Sequence, residues 1–182
     1  MLTLGVIADT HVPDRKRSLD PRVLALLRSR SPQAILHAGD VSTPAVLEEL
    51  AVVAPVYAVQ GNRDWLWLRE LPGHRILDFA GVRIALTHGH GGWLRYLLDR
   101  PYYTVHGYHH ERLAPRLARE FPQAKVIVFG HAHEPLNRWI DGQLLFNPGS
   151  PHFPKNKNIA PSLGILTIQN GSEVSGEILR LG

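Results

Sequence analysis

The first part of the chain alternates short apolar runs with segments in which apolar residues recur at helical spacing. Buried strands are predicted at 5–8, 34–38 and 56–59, where each run is too short for a helix and ends in small or polar residues. Helices are predicted at 21–31, with Pro21 in the first turn and Pro32 after the exit, and from Thr43 to about Val52. This strand–helix order is typical of an α/β sheet whose parallel strands end at one edge.

The second part of the chain has the pattern of paired strands. Three short turns, Ala80-Gly81, Asp141-Gly142 and Asn170-Gly171, each separate two apolar runs and predict hairpins. Another buried strand is predicted at 126–129, and helices at 93–99 and 110–121. The change of pattern favours two packed sheets with helices outside over a single doubly wound sheet.

Polar residues follow five of the predicted strands at the point where the apolar run stops. They are Asp9 and His11, Asp40, Asn62, His88, and His131 with His133. Each one alone is more typical of a turn or a structural histidine than of a ligand, but turn chemistry does not select His and Asp at the ends of five strands in series. Imidazole and oxygen donors suit Mn, Fe, Ni or Zn. Seven donors plus water are what two ions sharing a bridging carboxylate would use.

Composition narrows the classes of function. The chain has 182 residues, of which 44% are hydrophobic and 20% charged, as expected for a single globular domain over residues 1–182. It has no cysteine, so disulfides, cysteine zinc sites and thiol nucleophiles are excluded. There is no signal-peptide pattern and no apolar run long enough to cross a bilayer, so we expect a cytoplasmic protein without a membrane partner.

The charge is moderately basic. The net charge of +4 fits an anionic substrate, and Arg15-Lys16-Arg17 is the one tight basic cluster. No nucleic-acid-binding motif is present, so a polynucleotide is neither indicated nor excluded.

The order Asp-x-His, Gly-Asp, Gly-Asn-x-Asp, His-Gly-His and Gly-His-x-His, between Gly5 and Ser150, resembles the calcineurin-like metallophosphoesterase family. The sequence Asn147-Pro148-Gly149-Ser150 fits its small phosphodiesterase branch. The resemblance implies the metallophosphoesterase fold, a four-layer sandwich of two mixed β-sheets flanked by helices. It also implies two divalent ions, of which Mn is favoured and Ni, Fe, Co, Zn or Mg are alternatives.

The resemblance further implies which residues would hold each ion. Asp9, His11, Asp40 and His133 would hold one ion, and Asp40, Asn62, His88 and His131 the other, with Asp40 as the bridge. The implied reaction is hydrolysis of a P–O bond in a small phosphodiester or nucleotide-like substrate by a metal-bridging hydroxide. Asp40 and Asn62 are therefore expected to be catalytic.

One position departs from the family pattern. Many family phosphatases carry His after the Gly-Asn pair, where this chain has Arg63. A guanidinium stays protonated and cannot act as a general acid, but it binds phosphate oxygens well. We therefore expect Arg63 to bind phosphate and a diester to be the substrate. His90 is the candidate replacement acid, and a supporting or solvent-facing histidine is an equally good interpretation of it.

Two other functions are considered. The same branch includes the retromer scaffold subunit, which has lost part of the catalytic set, so a non-catalytic metal-binding scaffold is the alternative. Here every ligand position is filled, which favours an enzyme. Amidohydrolases with a His-x-His pair need a longer barrel than this chain provides.

Aromatic residues near the candidate site leave a further alternative open. Trp65 and Trp67 follow the Asn62 loop, and segment 93–110 contains several more, namely Tyr102, Tyr103, His106 and Tyr108. Such side chains stack on nucleobases. Helix packing, or a contact between copies in a homo-oligomer, is the interpretation that the sequence favours.

Overall fold

The structure is a computed structural model, and it describes residues 1–92, 97–98, 101, 105, 110–171 and 173–182. Within these residues the strands are β1 (Leu2–Ile7), β2 (Ala34–His37), β3 (Val56–Ala58), β4 (His74–Phe79), β5 (Val82–Thr87), β6 (Val126–Val128), β7 (Pro135–Ile140), β8 (Gln143–Pro148), β9 (Ser162–Gln169) and β10 (Glu173–Arg180). The helices are α1 (Pro21–Arg30), α2 (Pro44–Ala51) and α3 (His110–Glu120). The predicted helix at 93–99, apart from 97–98, and Tyr102, Tyr103, His106 and Tyr108 lie outside the described residues.

The first sheet has the strand order β10-β9-β1-β2-β3. Strands β1, β2 and β3 are parallel and are connected through α1 and α2, as predicted. Helix α1 begins where Asp20 accepts a hydrogen bond from the Arg22 backbone N–H at 3.0 Å and Pro21 takes the first position. The hairpin of β9 and β10 joins this sheet antiparallel to β1.

The second sheet has the order β4-β5-β6-β8-β7. Each edge strand forms a hairpin with its neighbour, β4 with β5 and β7 with β8. The three inner strands β5, β6 and β8 are parallel to one another. The hairpin pattern therefore describes only half of the pairing. Turn dipeptides determine which neighbours along the chain pair, whereas the parallel contacts depend on packing between distant segments.

Three apolar clusters separate four layers. One lies between the sheets and contains Leu4 and Val6 of β1 with Ile84 and Leu86 of β5. A second lies between the first sheet and helices α1 and α2, and a third between the second sheet and α3. Alternate residues of a strand face opposite sides, so each central strand contributes to two clusters. This confirms the predicted sandwich of two mixed sheets flanked by helices.

The two sheets are aligned so that β1, β2, β3, β5 and β6 end at the same end of the molecule. The His88 ring, after β5 of the second sheet, donates from Nδ1 to the Ala38 carbonyl of the first sheet at 2.8 Å. The His131 backbone N–H, after β6, donates to the Asp9 carboxylate at 3.0 Å. Loops of both sheets therefore meet at one site.

Candidate metal centre

The seven predicted ligands lie together at this junction of the two sheets. They form two groups of side chains on either side of Asp40. Asp40 Oδ2 lies 3.7 Å from His11 Nε2, and Asp40 Oδ1 lies 3.6 Å from His88 Nε2. The Arg63 backbone N–H donates to Oδ1 at 2.8 Å and fixes the carboxylate in this orientation. Each oxygen of Asp40 therefore faces a different histidine.

The first group contains Asp9, His11 and His133. His133 Nε2 lies 3.1 Å from His11 Nε2 and 3.5 Å from Asp9 Oδ1. His133 Nδ1 donates to the Phe153 carbonyl at 2.5 Å. Because a carbonyl oxygen only accepts, Nδ1 carries the proton, and the neutral ring presents the lone pair of Nε2 to the group.

The second group contains Asn62, His88 and His131. His88 Nδ1 is protonated in its bond to Ala38, so His88 Nε2 also presents a lone pair. That nitrogen lies 3.1 Å from Asn62 Oδ1 and 3.2 Å from His131 Nδ1. A lone pair that faces an amide oxygen is repelled unless a cation lies between them. The donor set therefore fits a divalent ion in each group.

Burial sets the protonation states of these ligands. It raises the pKa of Asp9 well above the ordinary value, and the negative charge of Asp40 adds to this. Burial lowers the pKa of His11 to about 2, with a further contribution from His133, and that of His133 to about 4. His11 and His133 are therefore neutral at physiological pH, which is the form that binds metal.

Backbone strain is concentrated in the same loops. Five of the seven ligands have φ between 51° and 69°, in the left-handed region: Asp9, His11, Asp40, His131 and His133. Residues other than glycine rarely adopt this conformation, and it is found preferentially at functional sites. The strain directs side chains two residues apart, as in Asp9 and His11, toward one point.

Residues 2–171 match the calcineurin-like phosphoesterase superfamily domain. The chain belongs to this superfamily. A probable metallophosphoesterase of Methanothermobacter thermautotrophicus is 34% identical over 181 residues, which cover 100% of this chain and 94% of that protein. A phosphodiesterase of Methanocaldococcus jannaschii is 24% identical over 158 residues, which cover 81% of this chain and 83% of that protein.

A structural comparison agrees with the fold. Vps29 of Entamoeba histolytica, in a crystal structure of its complex with Zn²⁺, has a TM-score of 0.72 at 23% identity, over 100% of both chains. Family membership and the buried candidate ligands support a phosphoesterase, a hydrolase of phosphoric ester bonds. In the part of the chain that is described, no helix combines the length and apolar character needed to span a bilayer.

Asp64 has a role in this phosphoesterase that the sequence did not indicate. It is fully buried, and its carboxylate accepts hydrogen bonds from the Ser42 backbone N–H at 2.7 Å and the Gly61 backbone N–H at 2.8 Å. It thereby connects the loop that carries Asp40 to the loop that carries Asn62. The sequence pattern Gly-Asn-x-Asp contained the residue, but its contacts lie across the chain.

The segment Asn147-Pro148-Gly149-Ser150 connects two further ligand loops, those of Asp9 and of His131. Asn147 Nδ2 donates to the Gly130 carbonyl at 2.8 Å, and Ser150 Oγ donates to the Asp9 carbonyl at 2.8 Å. His152, two residues further along, donates from Nδ1 to the Thr10 carbonyl at 2.8 Å. This segment therefore supports the metal ligands from outside the metal centre.

The remaining candidate residues lie on two sides of the centre. Arg63 lines the open pocket above the ligands, and so does Arg15, which sequence reasoning had assigned only to a basic cluster. His90 lines an adjacent cavity together with Gln60, His74 and Thr87. Its ring lies 5.4 Å from that of His88, and burial lowers its pKa to about 3. A group that is neutral at pH 7 is a poor general acid, so these observations favour a supporting role for His90.

Proposed function

We propose that this protein is a phosphodiesterase that works with two divalent ions bound to the two groups of ligands. The observation that carries the proposal is the position of Asp40, whose two oxygens face His11 on one side and His88 on the other. A carboxylate in this position can serve both ions at once. Mn²⁺ is the first ion to test, because oxygen and imidazole donors suit it and the family resemblance favours it.

Each ligand has a defined part in the proposal. Asp9, His11, Asp40 and His133 would hold one ion, and Asp40, Asn62, His88 and His131 would hold the other. Two divalent ions at such a centre lower the pKa of a bound water and offset negative charge on the reacting phosphate. The hydrogen bonds of His88 to Ala38 and of His133 to Phe153 keep the ligand nitrogens unprotonated and oriented.

The two arginines of the pocket bind the substrate. Arg63 and Arg15 are exposed side chains beside the ligands, and their guanidinium groups complement the single negative charge of a diester. Arg63 Nη1 lies 3.7 Å from Asp14 Oδ2 of the neighbouring loop, which positions the guanidinium group at the edge of the pocket. In the reaction, the oxygen of one water forms a bond to phosphorus and the bond from phosphorus to the leaving oxygen breaks. The water releases one proton to solvent and the leaving oxygen takes one up, which gives a phosphomonoester and an alcohol.

A metal and substrate panel tests the proposal. The purified chain is stripped with EDTA, reloaded with Mn, Ni, Fe, Co, Zn or Mg, and assayed on bis(p-nitrophenyl) phosphate and on p-nitrophenyl phosphate. We expect two ions per chain by elemental analysis and faster hydrolysis of the diester. Two bound ions with no activity on any diester would instead support the scaffold alternative.

A further inference from the structure

Two exposed loops beside the pocket carry basic and aromatic side chains. The first loop, residues 13–18, follows His11 and contains Arg15, Lys16 and Arg17. The second loop, residues 63–67, follows Asn62 and contains Arg63, Trp65 and Trp67. None of the proposed ligands belongs to either loop, so metal binding leaves these side chains unexplained.

Contacts with the metal centre hold the first loop in position. The Arg15 backbone N–H donates to the His11 carbonyl at 2.9 Å, and the Arg15 guanidinium lies 5.3 Å from the centre of the Phe153 ring. Phe153 in turn accepts the hydrogen bond of His133 through its carbonyl. A cation stacked on an aromatic ring at this distance is attracted to it. Arg15 is therefore fixed at the mouth of the pocket, next to exposed Lys16 and Arg17.

Buried residues on either side of its tryptophans anchor the second loop. Asp64 is 0% and Leu68 is 1% exposed, whereas Trp65 is 47% and Trp67 is 67% exposed. Arg69 lies over the Trp65 ring at 5.9 Å and donates to its carbonyl at 2.8 Å. The two tryptophans are thus presented on a firmly held loop, with cations on both sides of them along the chain.

The two loops are neighbours. Asp14 of the first loop lies 3.7 Å from Arg63 of the second and accepts a hydrogen bond from Ser42 Oγ at 3.0 Å. Together they form one rim of the pocket, which we call the basic-aromatic rim, residues 13–18 and 63–67. The rim carries four exposed cationic side chains and one exposed carboxylate, Asp14, whereas its second carboxylate, Asp64, is buried.

We infer that the substrate of this site is single-stranded nucleic acid, whose backbone crosses the basic-aromatic rim while one of its phosphodiesters lies over the metal ligands. The inference rests on the proposed phosphodiesterase function. Proteins that bind single strands combine cations along the backbone with aromatic rings on which bases stack. The rim offers both, and it is continuous with a pocket that already holds two arginines for one phosphate. A protein partner would not need a row of cations leading to that pocket.

The reaction on this substrate is hydrolysis of an internucleotide bond. One water is consumed, its oxygen forms a new bond to phosphorus, and the bond from phosphorus to one ribose or deoxyribose oxygen breaks. One product carries a terminal phosphate and the other a terminal hydroxyl. No oxidant, reductant or second substrate is required.

Binding is measured apart from cleavage. A 12-residue oligothymidylate with a 5′ fluorophore is titrated with the whole chain in EDTA, and its fluorescence anisotropy is followed at several salt concentrations. We expect affinity to fall as salt rises, with a slope of about −0.7 in log K against log salt for each phosphate contacted. Duplex DNA of the same length should bind more weakly, because its bases cannot stack on Trp65 and Trp67.

Two variants, each lacking two cationic side chains and one tryptophan, locate the binding surface. In the first, Lys16→Gln, Arg17→Gln and Trp67→Ala are combined, and we expect affinity for the oligonucleotide to fall at least tenfold. In the control, Arg28→Gln, Arg138→Gln and Trp139→Ala remove two exposed cations and a 47% exposed tryptophan from α1 and β7. The control should bind like the unmodified chain.

The outcomes separate this inference from the proposed function. Hydrolysis of a diester without binding of the oligonucleotide would contradict the inference but not the proposed phosphodiesterase function. Equal losses of oligonucleotide affinity in the two variants would have the same meaning. If Trp67→Ala instead converts a dimer to a monomer in sedimentation and leaves binding unchanged, the rim is a contact between copies and the inference is wrong. With Mn²⁺ added, cleavage of the labelled oligonucleotide to products of defined length would support the inference. The rim variant should cleave the oligonucleotide more slowly than the unmodified chain while keeping its activity on bis(p-nitrophenyl) phosphate.

Discussion

Gly61 leaves no room for a side chain against Asp40. A Cβ built on Gly61 would lie 2.2 Å from both the backbone nitrogen and Oδ1 of Asp40. Both atoms are held, because the loops of Asp40 and Asn62 are connected through Asp64. The position of the proposed bridging carboxylate therefore depends on the absence of one methyl group.

We predict that Gly61→Ala displaces Asp40 and lowers metal binding at least tenfold, with a loss of about 1–3 kcal/mol in the free energy of unfolding. Gly73→Ala is the matched control, since a Cβ there meets no atom of the described residues within 4 Å. Isothermal titration with Mn²⁺ and urea unfolding measure both effects. Equal behaviour of the two variants would contradict the packing argument.

Asp64→Asn should separate the two loops that carry Asp40 and Asn62. Each carboxylate oxygen accepts a hydrogen bond from a backbone N–H group. The side chain of Asn would place its NH₂ group, which is a donor, against one of these two N–H groups. We expect the free energy of unfolding to fall by about 1–3 kcal/mol, the cost of leaving a buried donor unsatisfied. Asp78→Asn, which breaks the exposed ion pair with Arg83, should change it by less than about 1 kcal/mol in the same urea titration.

Single ligand substitutions should give different metal contents. His11 lies beside His133 of the first group and the shared Asp40, so His11→Ala should retain about one ion per chain. Asp40→Ala should weaken both sites and reduce turnover of the diester nearly to zero. Elemental analysis after gel filtration, combined with the diester assay, measures both. Near-normal turnover in Asp40→Ala with two ions bound would refute the bridging role.

The pH dependence of stability provides a test that needs no metal. His37 is fully buried, and desolvation, with a smaller contribution from the neighbouring His88 ring, lowers its pKa from 6.5 to about 3. Below pH 6.5 His37 is protonated in the unfolded chain, whereas in the folded chain it is protonated only below about pH 3. The free energy of unfolding therefore falls as the pH falls from 6.5 to 3. In EDTA, His37→Gln should reduce the slope of unfolding free energy between pH 6 and pH 5 by about 1 kcal/mol per pH unit.

The control for this measurement is His74→Gln, which removes an exposed histidine at the start of β4. Urea unfolding of both variants at pH 7.5, 6 and 5 provides the slopes. If His37→Gln and His74→Gln change the slope equally, burial of His37 is not the cause. Total stability is a separate readout, because His37→Gln also alters the contact of His37 Nε2 with Thr10 Oγ1 at 3.2 Å.

The sequence predicted the layers and the ligand positions from local patterns. An apolar run that ends in Asp-x-His or Gly-Asp is visible within ten residues, and the carboxyl ends of parallel strands necessarily meet. Contacts between distant segments left no such local signal. Ser150 and Asp9 are 141 residues apart in the chain, and the parallel pairing of β5, β6 and β8 depends on packing of the whole second sheet. Arg15 was visible as a charge, but its place over Phe153 was not.

The pairing of β1 with β9 has a consequence for the order of assembly. Ribosomal synthesis proceeds from the N-terminus, so β1 (Leu2–Ile7) emerges well before its partner β9 (Ser162–Gln169). Ser150, which fixes the Asp9 backbone, also emerges late. The loop of Asp9 and His11 therefore acquires its native support only after Ser150 and β9 have been synthesised, and we expect the nascent chain to take up metal only then.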